Sequence, residues 1–240
     1  MKKIIYRIEE DSLGKVKVPK NSLYGAQTQR AIDNFKISSD IFPPEFIECL
    51  AALKASCAIA NSKSKLLPVK KAKTIYSSAM DIHKNIEKYY VQFPIDIYQT
   101  GSGTSTNMNM NEVLSNIVSK KLKNKVHPND DINKSQSSND VIPTTINICS
   151  VLLALELNDA LDYLTMRLID KEFEAKDIIK SGRTHLMDAV PLSLGYEIEA
   201  WREQVVHCNH PLLQSVEELQ YLPIGGTAIG TGLNAPKSFA

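Results

Sequence analysis

Leu157-Asn-Asp-Ala-Leu161-Asp-Tyr-Leu164-Thr-Met-Arg-Leu168 repeats leucine at intervals of four, three and four residues. That spacing puts the four leucines on one face of a helix, as the seam of a bundle or coiled coil. The helical pattern runs from about Asp140 to Ile179, with Pro143 expected in the first turn, where its missing N–H costs little. A helix of ~40 residues is ~60 Å long, more than a small domain is wide, so it is expected to pack on similar helices and on other subunits. Gly182 is expected to close it. Ser181-Gly-Arg-Thr-His-Leu-Met-Asp-Ala-Val-Pro191 then reads as a loop carrying Thr184 and His185. A second seam, Leu194, Ile198, Trp201, Val205, Cys208 and Leu212, predicts a helix from near Pro191. Pro211 falls inside it, and an internal proline predicts a kink or break near His207–Pro211. His207 and His210 could share a helix face, but two histidines make a poor metal site.

Upstream, His127-Pro-Asn-Asp-Asp-Ile-Asn-Lys-Ser-Gln-Ser-Ser-Asn-Asp140 is a polar loop that feeds the long helix. Backbone N–H groups at a helix start favour an anion, and Ser137, Ser138 and Asn139 can add side-chain donors. The same residues also suit a solvated loop with an N-cap. A second polar stretch, Gln99-Thr-Gly-Ser-Gly-Thr-Ser-Thr-Asn107, places Gly101 and Gly103 where the backbone could turn tightly or approach a ligand. It leads into a helix expected to reach about Lys123. No Gly-Lys-Ser/Thr follows, so it is not a phosphate-binding P-loop.

Nearer the N-terminus, residues 3–18 read as extended, punctuated by Gly14 and Pro19. Residues 21–31 read as an ordered loop. Pro43-Pro44 predicts a helix start, with Phe46, Leu50, Leu53 and Cys57 on its apolar face to about Asn61. A further helix is expected over Lys70–Tyr90, ending before Pro94; His83 within it reads as a packed or exposed residue rather than a ligand. Gly225, Gly226, Gly230 and Gly232 mark a last flexible stretch.

The 240 residues are 43% hydrophobic and 23% charged, enough for a core in one or two domains. A formal net charge of +1 gives no reason to expect a nucleic-acid or membrane-surface partner. Cys49, Cys57, Cys149 and Cys208 show no CxxC spacing and suit a reduced, cytoplasmic protein without disulfides or structural zinc. Residues 1–10 lack the apolar core of a secretory signal, and no uninterrupted apolar run approaches the ~20 residues of a membrane span. Many neutral donors with few fixed charges suit a small dicarboxylate and the extra negative charge of a carbanion beside it.

Five blocks, in order, resemble the class II fumarase/aspartase superfamily. They are Leu23-Tyr-Gly-Ala-Gln-Thr-Gln-Arg30, Gly101-Ser-Gly-Thr-Ser-Thr-Asn-Met-Asn-Met-Asn-Glu-Val113, the 127–140 stretch, Gly182-Arg-Thr-His-Leu-Met-Asp188 and Gly225-Gly-Thr-Ala-Ile-Gly-Thr-Gly-Leu-Asn234. Within the superfamily, Ser138 and Gly226 favour the class II fumarase version of their motifs; aspartate ammonia-lyase is the alternative, and a non-catalytic truncated chain a further one. The resemblance implies a mainly α fold: an N-terminal mostly helical domain over 1–138 and an incomplete central helical bundle over 139–240. It implies reversible hydration of fumarate to (S)-malate, with no metal and no organic cofactor, in a homotetramer. Carried over residue by residue, it implies that Ser102, Gly103, Thr104, Ser137, Ser138, Asn139 and Thr184 hold the dicarboxylate. His185 would activate or orient water, and His127, Pro128, Asn129 and Asp130 would form a second anion site.

The chain departs from the family in two respects, of which the His207–Pro211 segment, where the last helix is expected to kink or break, is one. The signature Gly-Ser-Ser-x-Met-Pro-x-Lys-x-Asn-Pro loop, with the serine taken to be the base, is not among these residues. The resemblance therefore implies an N-terminal portion holding half-sites, inactive alone, with apolar seams left exposed.

Overall fold

A computed structural model describes residues 5–239. They divide into two compact units, residues 5–149 with 222–239, and residues 150–221; residues 3 and 4 of the stretch expected to be extended lie outside the described residues. Helices dominate both, as expected for a mainly α chain.

The first unit opens with an antiparallel hairpin, β1 (Tyr6–Asp11) and β2 (Gly14–Pro19), paired from Tyr6↔Pro19 to Asp11↔Gly14. Residues 21–31 are not all loop: helix α1 spans Ala26–Asn34. No side chain of its own caps it. The Glu112 carboxylate does so instead, accepting from the amides of Gly25 (2.8 Å), Gln27 (2.9 Å) and Thr28 (3.1 Å) and from the Thr28 hydroxyl (2.6 Å). A negative charge at a helix N-terminus is favourable there.

Helix α2 (Pro44–Lys63) starts at the double proline and buries Phe46, Ile47, Leu50, Leu53 and Cys57. It packs on α3 (Val69–Lys84). The single helix expected over Lys70–Tyr90 breaks at Asn85, whose side chain turns back to the Asp81 carbonyl and carboxylate. A short α4 (Ile86–Tyr89) and a 3-10 turn (Tyr90–Gln92) follow. Helix α5 (Thr104–Leu122) buries ten consecutive residues from Thr106 to Ser115. Leu50, Ile75, Ile82, Met110, Val113, Leu114 and Val141 are central to one core, and Phe239 joins it from the C-terminal segment.

Helix α6 (Ser138–Ala175) is the long one. It starts two residues before the expected Asp140 and stops short of Ile179. Pro143 is its sixth residue, past the first turn. Val141, Ile142, Thr144, Thr145 and Cys149 are buried in the first unit. By length and composition alone α6 could cross a membrane, although the sequence shows no uninterrupted apolar run.

In the second unit, Gly182 does not end a helix and 181–191 is not a loop. Strands β3 (Ile179–Thr184) and β4 (Met187–Ser193) form an antiparallel hairpin with an irregularity between Ser181 and Arg183. Helix α7 (Leu194–Leu219) is capped by Ser193 and runs through Pro211 without the expected break. One missing N–H on an exposed helix leaves the carbonyl of His207 free to meet water. Arg202 bonds Glu172 (2.9 Å) and Asn209 bonds Asn158 (2.8 Å), tying α7 to α6. The seams are covered only in part: Ile198 is buried, but Leu157 is 49% exposed, Leu164 43% and Trp201 50%.

Three buried groups predict an unusual pH profile of stability. Burial pushes the Lys54 ammonium down to about 7 from 10.5. Burial pushes the Cys49 and Cys57 thiols up to about 12 from 9.0. Between pH 7 and 10.5 the unfolded chain binds the proton that folded Lys54 has lost, so this group makes stability rise with pH. The thiols contribute stability that is complete below pH 9.0 and is lost as pH rises to about 12. Urea midpoints should therefore climb from pH 7 to about 9, then turn down. Lys54→Met should remove the climb, and a flat wild-type profile would contradict the assignment.

Candidate functional site

Two helix N-termini meet in the first unit. Gly103, the residue before α5, adopts a left-handed backbone (φ 65°), and a Cβ there would sit 2.9 Å from two Ile142 side-chain atoms. Only glycine lets the 99–103 turn close on α6 without strain. The turn is held by Gly103 N–H to Thr100 O (2.8 Å) and by Gln99, which accepts from Thr106 N–H (2.8 Å) and donates to its hydroxyl (2.6 Å). This closure lines up three hydroxyls, Ser102 to Thr104 at 2.9 Å and Thr104 to Ser138 at 3.0 Å. Among the described residues, no protein group accepts from the amides of Thr104, Ser105 or Ser138. Exposed hydroxyls beside free first-turn amides make a binding surface for a carboxylate. Gly103→Ala should destabilise the chain by about 1–3 kcal/mol through steric overlap. An unchanged urea midpoint would mean that Ile142 gives way.

The head of α6 is a reciprocal cap. Ser137 Oγ accepts from Asn139 N–H (3.2 Å), and Asp140 Oδ1 accepts from Ser137 N–H (2.9 Å). Asp140 is 1% exposed. Its second oxygen accepts from the amides of Gly225 (3.2 Å) and Thr227 (2.8 Å), and Asn139 donates to Ala228 O (2.8 Å). The glycine-rich segment is thus pinned beside Ser138 and Asn139. It turns on itself through Gly230 N–H and Gly232 N–H, both 3.0 Å from Gly226 O. Ser102, Gly103, Thr104, Ser137, Ser138 and Asn139 are therefore brought together. Asp140 and the 225–228 backbone join them, unassigned by the sequence reading. The Ser137-x-x-Asp140 capping spacing was the available signal.

His127–Asp130 lies on a separate turn. Pro128–Ile132 forms a single π-helical turn. His127 Nδ1 accepts from the amides of Asn129 (3.3 Å) and Asp130 (3.2 Å), and His127 N–H donates to Asp131 Oδ2 (2.9 Å). Lys71 closes on Asp131 at 2.7 Å. The same His127 Nδ1 lies 3.2 Å from an Asp130 carboxylate oxygen. His127, Pro128 and Asn129 line a cleft of about 650 Å³ together with Glu9, Glu10 and Asp11. The Asn129 and Asp130 amides are already used within the turn, which leaves less to offer an anion than the α5–α6 site has.

Thr184 and His185 belong to the second unit, at the tip of the β3–β4 hairpin. His185 (φ 52°) and Leu186 (φ 61°) form its two-residue turn, a mirror-image geometry that favours glycine or asparagine. Both are exposed, and Leu186 is wholly so. Two non-glycine residues in left-handed conformation store strain of a kind found at functional tips. Among the described residues, no group of three or more His, Cys, Asp or Glu side chains could hold a metal ion.

Residues 14–240 match the Lyase_1 family, described as lyase. The chain is 46% identical to a class II fumarate hydratase of Prochlorococcus marinus, over 98% of its own length and 52% of that protein. It is also 46% identical to the class II fumarate hydratase of Bacillus subtilis, again over 98% and 52%. The chain thus spans about half the length of the curated relatives it matches. In three dimensions it superposes on a recombinant class II fumarase from Schistosoma mansoni with a TM-score of 0.93, at 38% identity, covering 98% of this chain and 50% of that one.

Proposed function

Because the chain belongs to the Lyase_1 family of lyases, we propose that it is the N-terminal portion of a class II fumarate hydratase and contributes to the reversible hydration of fumarate to (S)-malate. The observation that carries this reading is the hydroxyl line Ser102–Thr104–Ser138 between the N-termini of α5 and α6. Those hydroxyls, the Gly103 turn, Ser137 and Asn139 hold the dicarboxylate, with Thr184 as a further donor. Neutral donors suit the chemistry. A base takes the C3 proton of malate, the electron pair spreads into the neighbouring carboxylate, and an acid helps hydroxide leave. Donors aimed at the developing charge hold it more strongly than the ground state. His185 activates or orients the water, since an imidazole can take and return a proton near neutral pH. His127, Pro128, Asn129 and Asp130 form a second anion site.

The partly uncovered apolar faces of α6 and α7 support a homotetramer. Free thiols at Cys49, Cys57, Cys149 and Cys208 support a reduced, cytoplasmic setting.

A chimera tests the reading: these residues replace the matching half of the Bacillus subtilis relative, and loss of fumarate is followed by ultraviolet absorbance. Malate formation is the expected result. Ammonia release from aspartate by the chimera would move the chain to the aspartase branch. A folded, assembled chimera that turns over neither substrate would refute both. The 240-residue chain alone is expected to give no turnover, since it lacks the serine loop.

A further inference from the structure

We propose that Lys54 is a positioning residue for the anion-binding turn, its buried amine holding Asn133 and Gln136 so that Ser137, Ser138 and Asn139 stand at the head of α6. Lys54 lies on α2, is 1% exposed, and forms no ion pair among the described residues. Such a lysine is rare, because burial without a counter-charge costs more than burying an apolar side chain of the same size. Its Nζ donates to Asn133 Oδ1 (2.9 Å) and to Gln136 Oε1 (2.8 Å).

Both acceptors spend their remaining groups inside the same turn. Asn133 Nδ2 reaches Gln136 O (3.3 Å), and Gln136 Nε2 reaches Ile132 O and Lys134 O, both at 3.0 Å. α2 grips the turn a second time two helical turns on, where Asn61 donates to Lys134 O (2.9 Å) and accepts from Ser135 Oγ (2.7 Å). Ser135 is buried with φ 62°, so the chain is held in a strained shape there. The titratable groups acting on Lys54 are Cys57, on its own helix, and Asp140 on α6. α5 adds only neutral Asn107, which donates to Asn133 Oδ1 at 3.2 Å. A neutral amine keeps two N–H groups, enough for both acceptors, so the grip does not need the charge.

Amide exchange in the 240-residue chain tests the inference, with the amides of α3 as internal reference. The turn amides to follow are Gln136, Ser137 and Asn139, each hydrogen-bonded within it. Lys54→Met should speed their exchange by about tenfold while leaving α3 unchanged. Gln136→Leu, which keeps Lys54 in place, should do the same, and the double variant should be no faster than either single one. Unchanged exchange at the turn, or an equal acceleration in α3, would overturn the inference. Should Lys54→Met not fold, Lys54→Gln, which leaves every bond within the turn in place but cannot reach both acceptors, decides between the same outcomes. The link to substrate rests on the fumarate hydratase reading, whereas the exchange result does not, so either can fail without the other. In an active chimera Gln136→Leu should raise KM for fumarate more than it lowers kcat, and the reverse would count against positioning.

Discussion

Replacing Asp140 by alanine is expected to lower the unfolding free energy of the chain by about 3–5 kcal/mol, the largest single-residue effect on stability foreseen here. The carboxylate is 1% exposed and serves three backbone amides, those of Ser137, Gly225 and Thr227. Alanine leaves all three donors without an acceptor. It also removes the negative charge from the first turn of α6, where the helix dipole favours it. Urea unfolding gives the free energy, and proteolysis within 225–232 reports whether the glycine-rich segment has come loose. Asp140→Asn keeps one carbonyl oxygen and should fall between wild type and alanine. A loss below about 1 kcal/mol for alanine would mean that water replaces the carboxylate at no great cost, and the cap would then be incidental.

His185→Asn is expected to lower kcat for fumarate hydration about 10²–10⁴-fold in the chimera, with folding untouched. The choice of asparagine matters. His185 holds φ at 52°, and asparagine tolerates that conformation better than most side chains. The hairpin turn therefore survives while the proton-transfer group is lost. His185→Ala would confound the two, because alanine keeps the left-handed Cβ penalty that histidine already carries and loses any polar side chain that can bond locally to offset it. Circular dichroism and the urea midpoint check the fold, and steady-state kinetics give kcat and KM. Near-normal kcat in a folded variant would remove His185 from the chemistry and leave the turn strain without a functional account.

The elements read correctly from the residues are those whose signals are local. Pro43-Pro44 opens α2, Gly103 precedes α5, and the Ser/Asn/Asp run opens α6 within two residues of its expected start. Those signals are dihedral preferences and caps, carried by the residues at the boundary. The elements misread depend on partners far along the chain. α1 looks like a loop because its cap, Glu112, is more than eighty residues away. The β3–β4 hairpin was hidden because its turn is His185-Leu186 rather than the Asn-Gly that announces such turns. The α3–α4 break at Asn85 depends on a side chain bonding back to Asp81 in place of the helix. At the site, the hydroxyl and amide donors were legible, since their residue types state what they can bond. Of the brackets that hold them, Asp140 shows in the sequence only as a capping spacing, without its distant partners, and Lys54 does not show at all. A lysine on α2 gives no sign in one dimension that it will end up beneath a turn some eighty residues later.

The clamp from Asp140 to Gly225 and Thr227 spans 85 and 87 residues, and Phe239 lies further on still. A growing chain therefore cannot finish its first compact unit when residue 149 emerges. It must make the intervening seventy-odd residues and then return. During synthesis the Leu50–Leu114 core would wait with one wall open, and the head of α6 would lack its outer brace. Ribosome-stalled chains ending before Gly225 should be cut readily by protease near Ser137, and chains released beyond Phe239 should resist.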